Sequence, residues 1–286
     1  MKKIKFLTPA LIFLCAGLFA GYSAWDRINT DKKAPEITIG TETIQVSVSA
    51  PRSDLLQGIT AQDDRDGDVT DSMVVESIKA LDSDGTIEVS FAAFDQAGNV
   101  AKSTRTVRYT DYHSPRFSLS RSLVYPYGNN FDPLTVISAT DCLDGSLQSR
   151  IRAMSLDNDS VSALGDHQVE FRVTNSLGDT VRLTLPVTVY SSDIYSIGVS
   201  LREYLIYLKP GTAFDADSYL SAIGHGHSTY TADALPANYS VHISGDVKTG
   251  IPGVYPVDYT VTCAQESSSG TQYVSGFNRL IVIVEG

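Results

Sequence analysis

From Thr43 onward, apolar and polar residues alternate in short runs. Ile44, Val46 and Val48 alternate with polar neighbours over 43–48, and Thr86–Phe94 and Val100–Tyr109 follow the same rule. Ser118–Val124, Val136–Ala139, Ile151–Leu156, Gln168–Thr174 and Thr180–Tyr190 continue it, and Val274–Val284 closes the chain. A period of two places every second side chain on one face, so each run predicts a strand with one buried side. Past the N-terminal apolar run, no segment carries helical periodicity over three turns. Short strands separated by Gly, Asn and Asp turns predict two-sheet sandwiches.

The strands recur as modules. Asp63-Asp64-Arg65-Asp66-Gly67-Asp68-Val69-Thr70 is echoed by Asp141-Cys142-Leu143-Asp144-Gly145-Ser146-Leu147-Gln148. Each is followed by a glycine, Gly85 or Gly165, an alternating strand and a second turn, Asp95–Asn99 or Asn175–Asp179. Pro35 and Pro115 each open a first strand, where a missing N–H is tolerated. The lag of about 80 residues marks tandem repeats. Module one is predicted over 34–111, module two over 112–190 and a divergent module three over 191–286. In module three, Gly253–Thr262 matches the repeated strand, but 218–238 lacks the Asp-Gly turn and reads as an insertion. Module three, with Tyr190 at its edge, holds ten of the fifteen tyrosines.

These motifs carry a resemblance. Asp63, Asp66, Gly67, Asp68, Val69 and Thr70, then Gly85, Asp95, Gly98 and Asn99, form a pattern that resembles bacterial immunoglobulin-like repeats of exported proteins, relatives of the hyalin-type repeats. Module two keeps Asp141, Asp144, Gly145 and Gly178, and module three keeps mainly Gly253 and its strand. The resemblance implies an all-β chain of tandem immunoglobulin-like β-sandwiches. It implies spacers or adhesive modules of a bacterial surface, with no catalytic residues.

The N-terminus, residues 1–33, differs. Lys2, Lys3 and Lys5 precede an apolar run from Phe6 to Ala24, the plan shared by a signal peptide and a membrane anchor. Poor small-residue spacing at Leu18-Phe19-Ala20 and Tyr22-Ser23-Ala24 favours a retained anchor over a cleaved leader. The basic end would stay in the cytoplasm and the modules outside. Ile12-Phe13-Leu14 is too bulky before Cys15 for lipidation. Cys142 and Cys263 stand in different modules at non-corresponding positions, so no disulfide framework is expected. The net charge of −11 argues against a polyanion such as nucleic acid as a partner.

Candidate chemistry is sparse. Asp64, Asp66 and Asp68 surround Gly67 in the manner of a calcium loop. An EF-hand register would put Gln62 and Met73 at its first and last ligand positions, which excludes that motif. A cage of another geometry is one reading. Turn capping is the preferred one, with Arg65 offsetting repulsion, so the turn is expected to survive without calcium and no metal or cofactor is assigned. His225 and His227, in Gly224-His225-Gly226-His227, and Tyr219, Tyr230 and Tyr239 in or beside the insertion are the candidate ligand-binding residues. No nucleophile elbow, zinc helix or phosphate loop is present in the sequence, so a non-enzymatic envelope protein is expected. It would act as a spacer presenting module three, or as an adhesion module binding a glycan or an envelope protein through it.

Overall fold

The computed structural model describes residues 4–79, 85–128, 131–156, 163–191, 193–268 and 270–286, with side chains outside the description at 4–10, 26–29 and 267. Lys2 and Lys3 of the leader lie outside the described residues. The N-terminal run forms α1 (Ile4–Asn29). Leu11, Ile12, Phe13, Leu14, Leu18, Phe19 and Trp25 on it are exposed. Among the described residues, no helix is long and apolar enough to cross a membrane.

The other described residues form strands, turns and short 3-10 helices, and the chain divides into two compact units, Met1–Tyr112 and His113–Gly286. In the first unit, module one contains β1 (Glu36–Ile39), β2 (Thr43–Val46), β3 (Ile59–Asp63), β4 (Gly67–Asp68), β5 (Val74–Lys79), β6 (Thr86–Phe94) and β7 (Val100–Tyr109). They form a three-stranded sheet, β1-β3-β4, and a four-stranded sheet, β2-β7-β6-β5. Strand β2 runs parallel to β7, and the other pairs are antiparallel. Ile59 and Ala61 on the small sheet and Ile87, Val89, Phe91 and Val107 on the large one are buried. Arg105 shares that inward face. Its guanidinium donates to the carbonyls of Gln57 at 2.7 Å and Thr41 at 2.6 Å, which makes burial of the charge tolerable.

The second unit repeats the plan twice. Module two contains β8 (Arg116–Leu119), β9 (Val124–Pro126), β10 (Ile137–Asp141), β11 (Gly145–Ser146), β12 (Arg152–Ser155), β13 (Gly165–Thr174) and β14 (Thr180–Tyr190). Its sheets are β8-β10-β11 and β9-β14-β13-β12. Module three contains β15 (Ile197–Leu201), β16 (Leu205–Leu208), β17 (Leu220–His225), β18 (Ser228–Thr231), β19 (Tyr239–Ser244), β20 (Gly253–Ser267) and β21 (Gly270–Val284). Its sheets, β15-β17-β18 and β16-β21-β20-β19, have the same order. The segment 218–238, read from sequence as an insertion, therefore supplies the middle and edge strands of the small sheet. Its register, Ala222 opposite Thr231 to His225 opposite Ser228, turns at His225–Ser228 instead of at an Asp-Gly motif.

Alternation places Val169, Phe171 and Val173 of β13 inside, facing Phe117, Ile137 and Ala139 of the opposing sheet. Leu205 and Ile281 of module three belong to the same cluster. Modules two and three are thus joined by apolar packing and not by a linker alone. Polar contacts reinforce the junction. The Phe117 N–H donates to the Tyr207 hydroxyl at 2.9 Å, and Arg116 pairs with Glu285 while lying 5.1 Å over the Tyr207 ring. Arg279 bonds the Asp258 carboxylate at 2.5 and 3.0 Å and the Thr188 hydroxyl at 3.0 Å.

Candidate functional site

Strands β3, β10 and β17 end at the same place in their sandwiches, and each last residue is polar: Asp63, Asp141 and His225. Each pairs into the next short strand, opposite Gly67, Gly145 and Ser228. The three corners can be compared directly.

In module one, the Asp63 Oδ1 accepts the N–H groups of Arg65 at 2.8 Å and Asp66 at 2.9 Å. Those two bonds hold its pKa below the ordinary 3.8, the Asp66 N–H most strongly. Asp63 is only 8% exposed, and its buried Oδ2 accepts no hydrogen bond from the protein. Asp95, also 8% exposed, follows β6 and accepts the Asn99 N–H at 2.7 Å and its side-chain amide at 2.6 Å. Asp31, in the connection after α1, accepts the Lys33 N–H on Oδ1 at 3.0 Å. Its Oδ2 accepts no hydrogen bond and lies 3.7 Å from the Arg65 Nε. One carboxylate oxygen from each of Asp31, Asp63 and Asp95 lies within 4.8 Å of the other two.

The acidic residues singled out from sequence lie beside this trio with other partners. Asp64 is paired with Lys33 at 3.5 Å, Asp66 accepts the Gln96 N–H at 2.7 Å, and Asp68 accepts the Thr70 N–H at 3.0 Å. The Thr70 hydroxyl and then its N–H lower the Asp68 pKa. Sequence reasoning missed Asp31, placed in a spacer, and took Asp95 as a turn residue. A signal for Asp31 existed: it precedes Pro35 by the same interval as Asp111 precedes Pro115.

In module two, Asp141 Oδ1 accepts the N–H groups of Leu143 and Asp144, each at 2.9 Å. Its Oδ2 accepts the Asn175 side-chain amide at 3.3 Å. Asn175 stands where module one has Asp95, and its Oδ1 takes the Leu177 and Asp179 N–H groups at 3.0 Å. Asp144 ties the two turns together through the Ser176 N–H at 2.6 Å and hydroxyl at 2.7 Å.

In module three, His225 lines a surface depression of ≈ 500 Å³ with Gly226, Tyr230, Tyr239, Cys263 and Gln265. Its Nδ1 lies 2.7 Å from the Tyr239 hydroxyl, and its Nε2 lies 3.2 Å from the Gln265 amide. The Tyr230 and Tyr239 rings are 5.3 Å apart. Burial, then the neighbouring Cys263 thiol, pushes the Tyr239 pKa up to about 12, so its phenol stays protonated and can donate to His225. Three sequence candidates, His225, Tyr230 and Tyr239, are thus brought together. His227 is exposed on the turn, and Tyr219 stacks on Phe214 at 5.7 Å, packed against the module-three core. The corner offers a hydrogen-bonding imidazole beside two aromatic faces. Among the described residues it contains no group of three metal-ligating side chains.

No protein-family profile matches the chain. A stretch of 186 residues, 62% of the chain, is 23% identical to an uncharacterized 81.3 kDa protein of Acholeplasma phage L2, of which it covers 23%. Another of 141 residues, 48% of the chain, is 29% identical to the pesticidal crystal protein Cry22Aa of Bacillus thuringiensis, of which it covers 18%. The chain thus spans less than a quarter of the length of these curated relatives. Among solved structures, it is similar to mouse cadherin-23 EC22-24, with 11% identity, 88% of this chain and 99% of that one covered, and a TM-score of 0.22. It is also similar to the CBM51-2 and INT domains of Clostridium perfringens ZmpB, with 16% identity, 54% and 41% covered, and a TM-score of 0.22. No function is carried over from scores this low.

Proposed function

We propose that the chain is a non-enzymatic envelope protein, a row of immunoglobulin-like modules that serves as an extracytoplasmic spacer and presents module three. In this reading α1 is the export signal of the chain, retained or removed after export. One observation carries it: the same seven-strand order is built three times. Most polar groups at the module corners are engaged in holding turns, which favours a structural role over catalysis. Small-angle scattering of residues 34–286 should give a particle several times longer than wide. A compact globule would remove the spacer role.

A second reading is recognition of a glycan or an envelope protein through module three. The convergence of His225, Tyr230 and Tyr239 on one depression favours it. Flat aromatic faces beside a hydrogen-bonding group suit a sugar ring or a partner side chain. A glycan and envelope-protein screen with the parent chain and with Tyr230→Ala tests it. Hits that persist unchanged in Tyr230→Ala would place recognition elsewhere, and the absence of any hit would leave the spacer role alone.

A further inference from the structure

We propose that module one holds a divalent cation, calcium by the nature of its donors, between the carboxylates of Asp31, Asp63 and Asp95. Three acidic side chains from three separate segments meet here: the connection after α1, the end of β3 and the turn after β6. Their facing oxygens lie within 4.8 Å of one another. That is the spread of oxygens sharing an ion at about 2.4 Å, the calcium–oxygen distance. Hard oxygen donors without nitrogen or sulfur favour calcium or magnesium over zinc or copper.

The acidic cluster is not the only sign. Asp63 is more than nine-tenths buried, and its Oδ2 accepts no hydrogen bond from the protein while its Oδ1 accepts two. A buried carboxylate oxygen without a partner is costly, and the carboxylates of Asp31 and Asp95 lie close to that of Asp63. The Asp31 side chain is 10% exposed, and its Oδ2 also accepts no hydrogen bond. Arg65, 3.7 Å from Asp31, and Lys33 near Asp63 supply positive charge to the corner, but neither donates a hydrogen bond to these two oxygens. An ion would satisfy both oxygens and cancel the repulsion.

Module two provides an internal control. At the matching corner, the Asn175 amide donates to Asp141 and replaces a repulsive carboxylate with a hydrogen-bond donor. Asp111, matching Asp31, is bonded to the Ser47 hydroxyl at 2.7 Å and the Val48 N–H at 2.8 Å. Among the described residues, only module one keeps three acids at the corner. Because Asp31 belongs to the connection, the ion clips that segment to the sandwich. The turn-capping bonds of Asp66 and Asp68 remain in place without it, so the module stays folded in chelator and gains rigidity with calcium.

The test is calcium titration of the full chain by calorimetry, with thermal melting in chelator and in calcium at equal ionic strength. We expect one site, and at about tenfold excess over Kd a rise of about 5 °C or more in the transition of the first unit. Asp63→Asn and Asp95→Asn should each weaken binding at least about tenfold through lost ligand charge. Asp68→Asn should bind as the parent does. Should Asp63→Asn fail to fold, Asp31→Asn, which removes a ligand outside the sandwich strands, decides the question. No calcium heat and no thermal shift in the parent would overturn the proposal, as would binding that Asp31→Asn and Asp95→Asn leave intact.

Discussion

Modules one and two share a seven-strand order and a glycine-containing acidic turn, yet they resolve the same corner in opposite ways. In module one, Asp63 meets Asp95 and Asp31, and two buried oxygens accept no hydrogen bond. In module two, Asp141 meets Asn175, and the amide donates to it. Exchanging one oxygen for one nitrogen changes the corner from a repulsive cluster to a closed hydrogen-bonded pair. Asp144 then carries the larger mechanical role, tying its turn to Ser176 with both oxygens, whereas Asp66 holds only the Gln96 N–H. Equivalent positions in repeats therefore do not imply equivalent chemistry, because a buried carboxylate is governed by what faces it.

The largest expected effect concerns the cores beneath the two corners. Phe91 and Phe171 are fully buried at matching places on β6 and β13. Phe91→Ala and Phe171→Ala should each destabilise by about 3–5 kcal/mol. Calorimetry should show Phe91→Ala lowering the transition of the first unit alone. Phe171→Ala should lower that of modules two and three together, because Leu205 and Ile281 pack into the same cluster. Independent melting of module three in the second variant would show that the shared core does not couple them.

Exchanging the corner residues is the sharpest test. Asn175→Asp removes the donor from Asp141 and sets two buried carboxylates together, so chemical denaturation should show a loss of about 1–3 kcal/mol. The reverse change, Asp95→Asn, should raise the stability of module one in chelator. Loss of stability in chelator for Asp95→Asn would mean that module one tolerates its three acids without strain, and that the two corners differ less than their contacts imply.

The turn glycines should behave alike. Gly67 has φ +75° and Gly145 has φ +69°, and a Cβ would meet nothing within 4 Å at either. Gly67→Val and Gly145→Val should therefore each cost roughly 1 kcal/mol or more from left-handed backbone strain alone. Unequal losses in denaturant would show that the two turns carry different loads.

The smallest effect is acid sensitivity. Backbone donors hold the Asp63 pKa below 3.8 in the folded state. A depressed pKa stabilises the fold above the unfolded value and loses that contribution as pH falls through the folded one. In chelator, the stability of module one should decline as pH drops below about 3.8, and Asp63→Asn should flatten that decline. An unchanged slope in the variant would assign the acid sensitivity to Asp68, whose pKa is also lowered.

Much of the architecture was legible in the chain. Alternation in Thr86–Phe94 and Gln168–Thr174 fixes which side chains point inward, since a strand offers only two faces. The Asp-Gly turns mark the short hairpins because glycine alone reaches their backbone angles without strain. In 218–238 the same reasoning failed. There Gly226 and flanking histidines make the turn, so β17 and β18 carried no familiar signal. Arg105 was equally hidden, since its acceptors are the carbonyls of Thr41 and Gln57, far away along the chain.

The two candidate corners divide along the same line. The sequence by itself determined the strand period, the turn positions and the residue types at the module ends, because these depend on local backbone geometry and the spacing of apolar side chains. Only the tertiary structure decided that Asp31 approaches Asp63 and Asp95, that Asn175 closes the matching pair, and that His225 reaches Tyr239 and Gln265. Those pairings join segments 30 or more residues apart or lying on opposite sheets, and the energy of a buried polar group depends on such neighbours far more than on its own position in the chain.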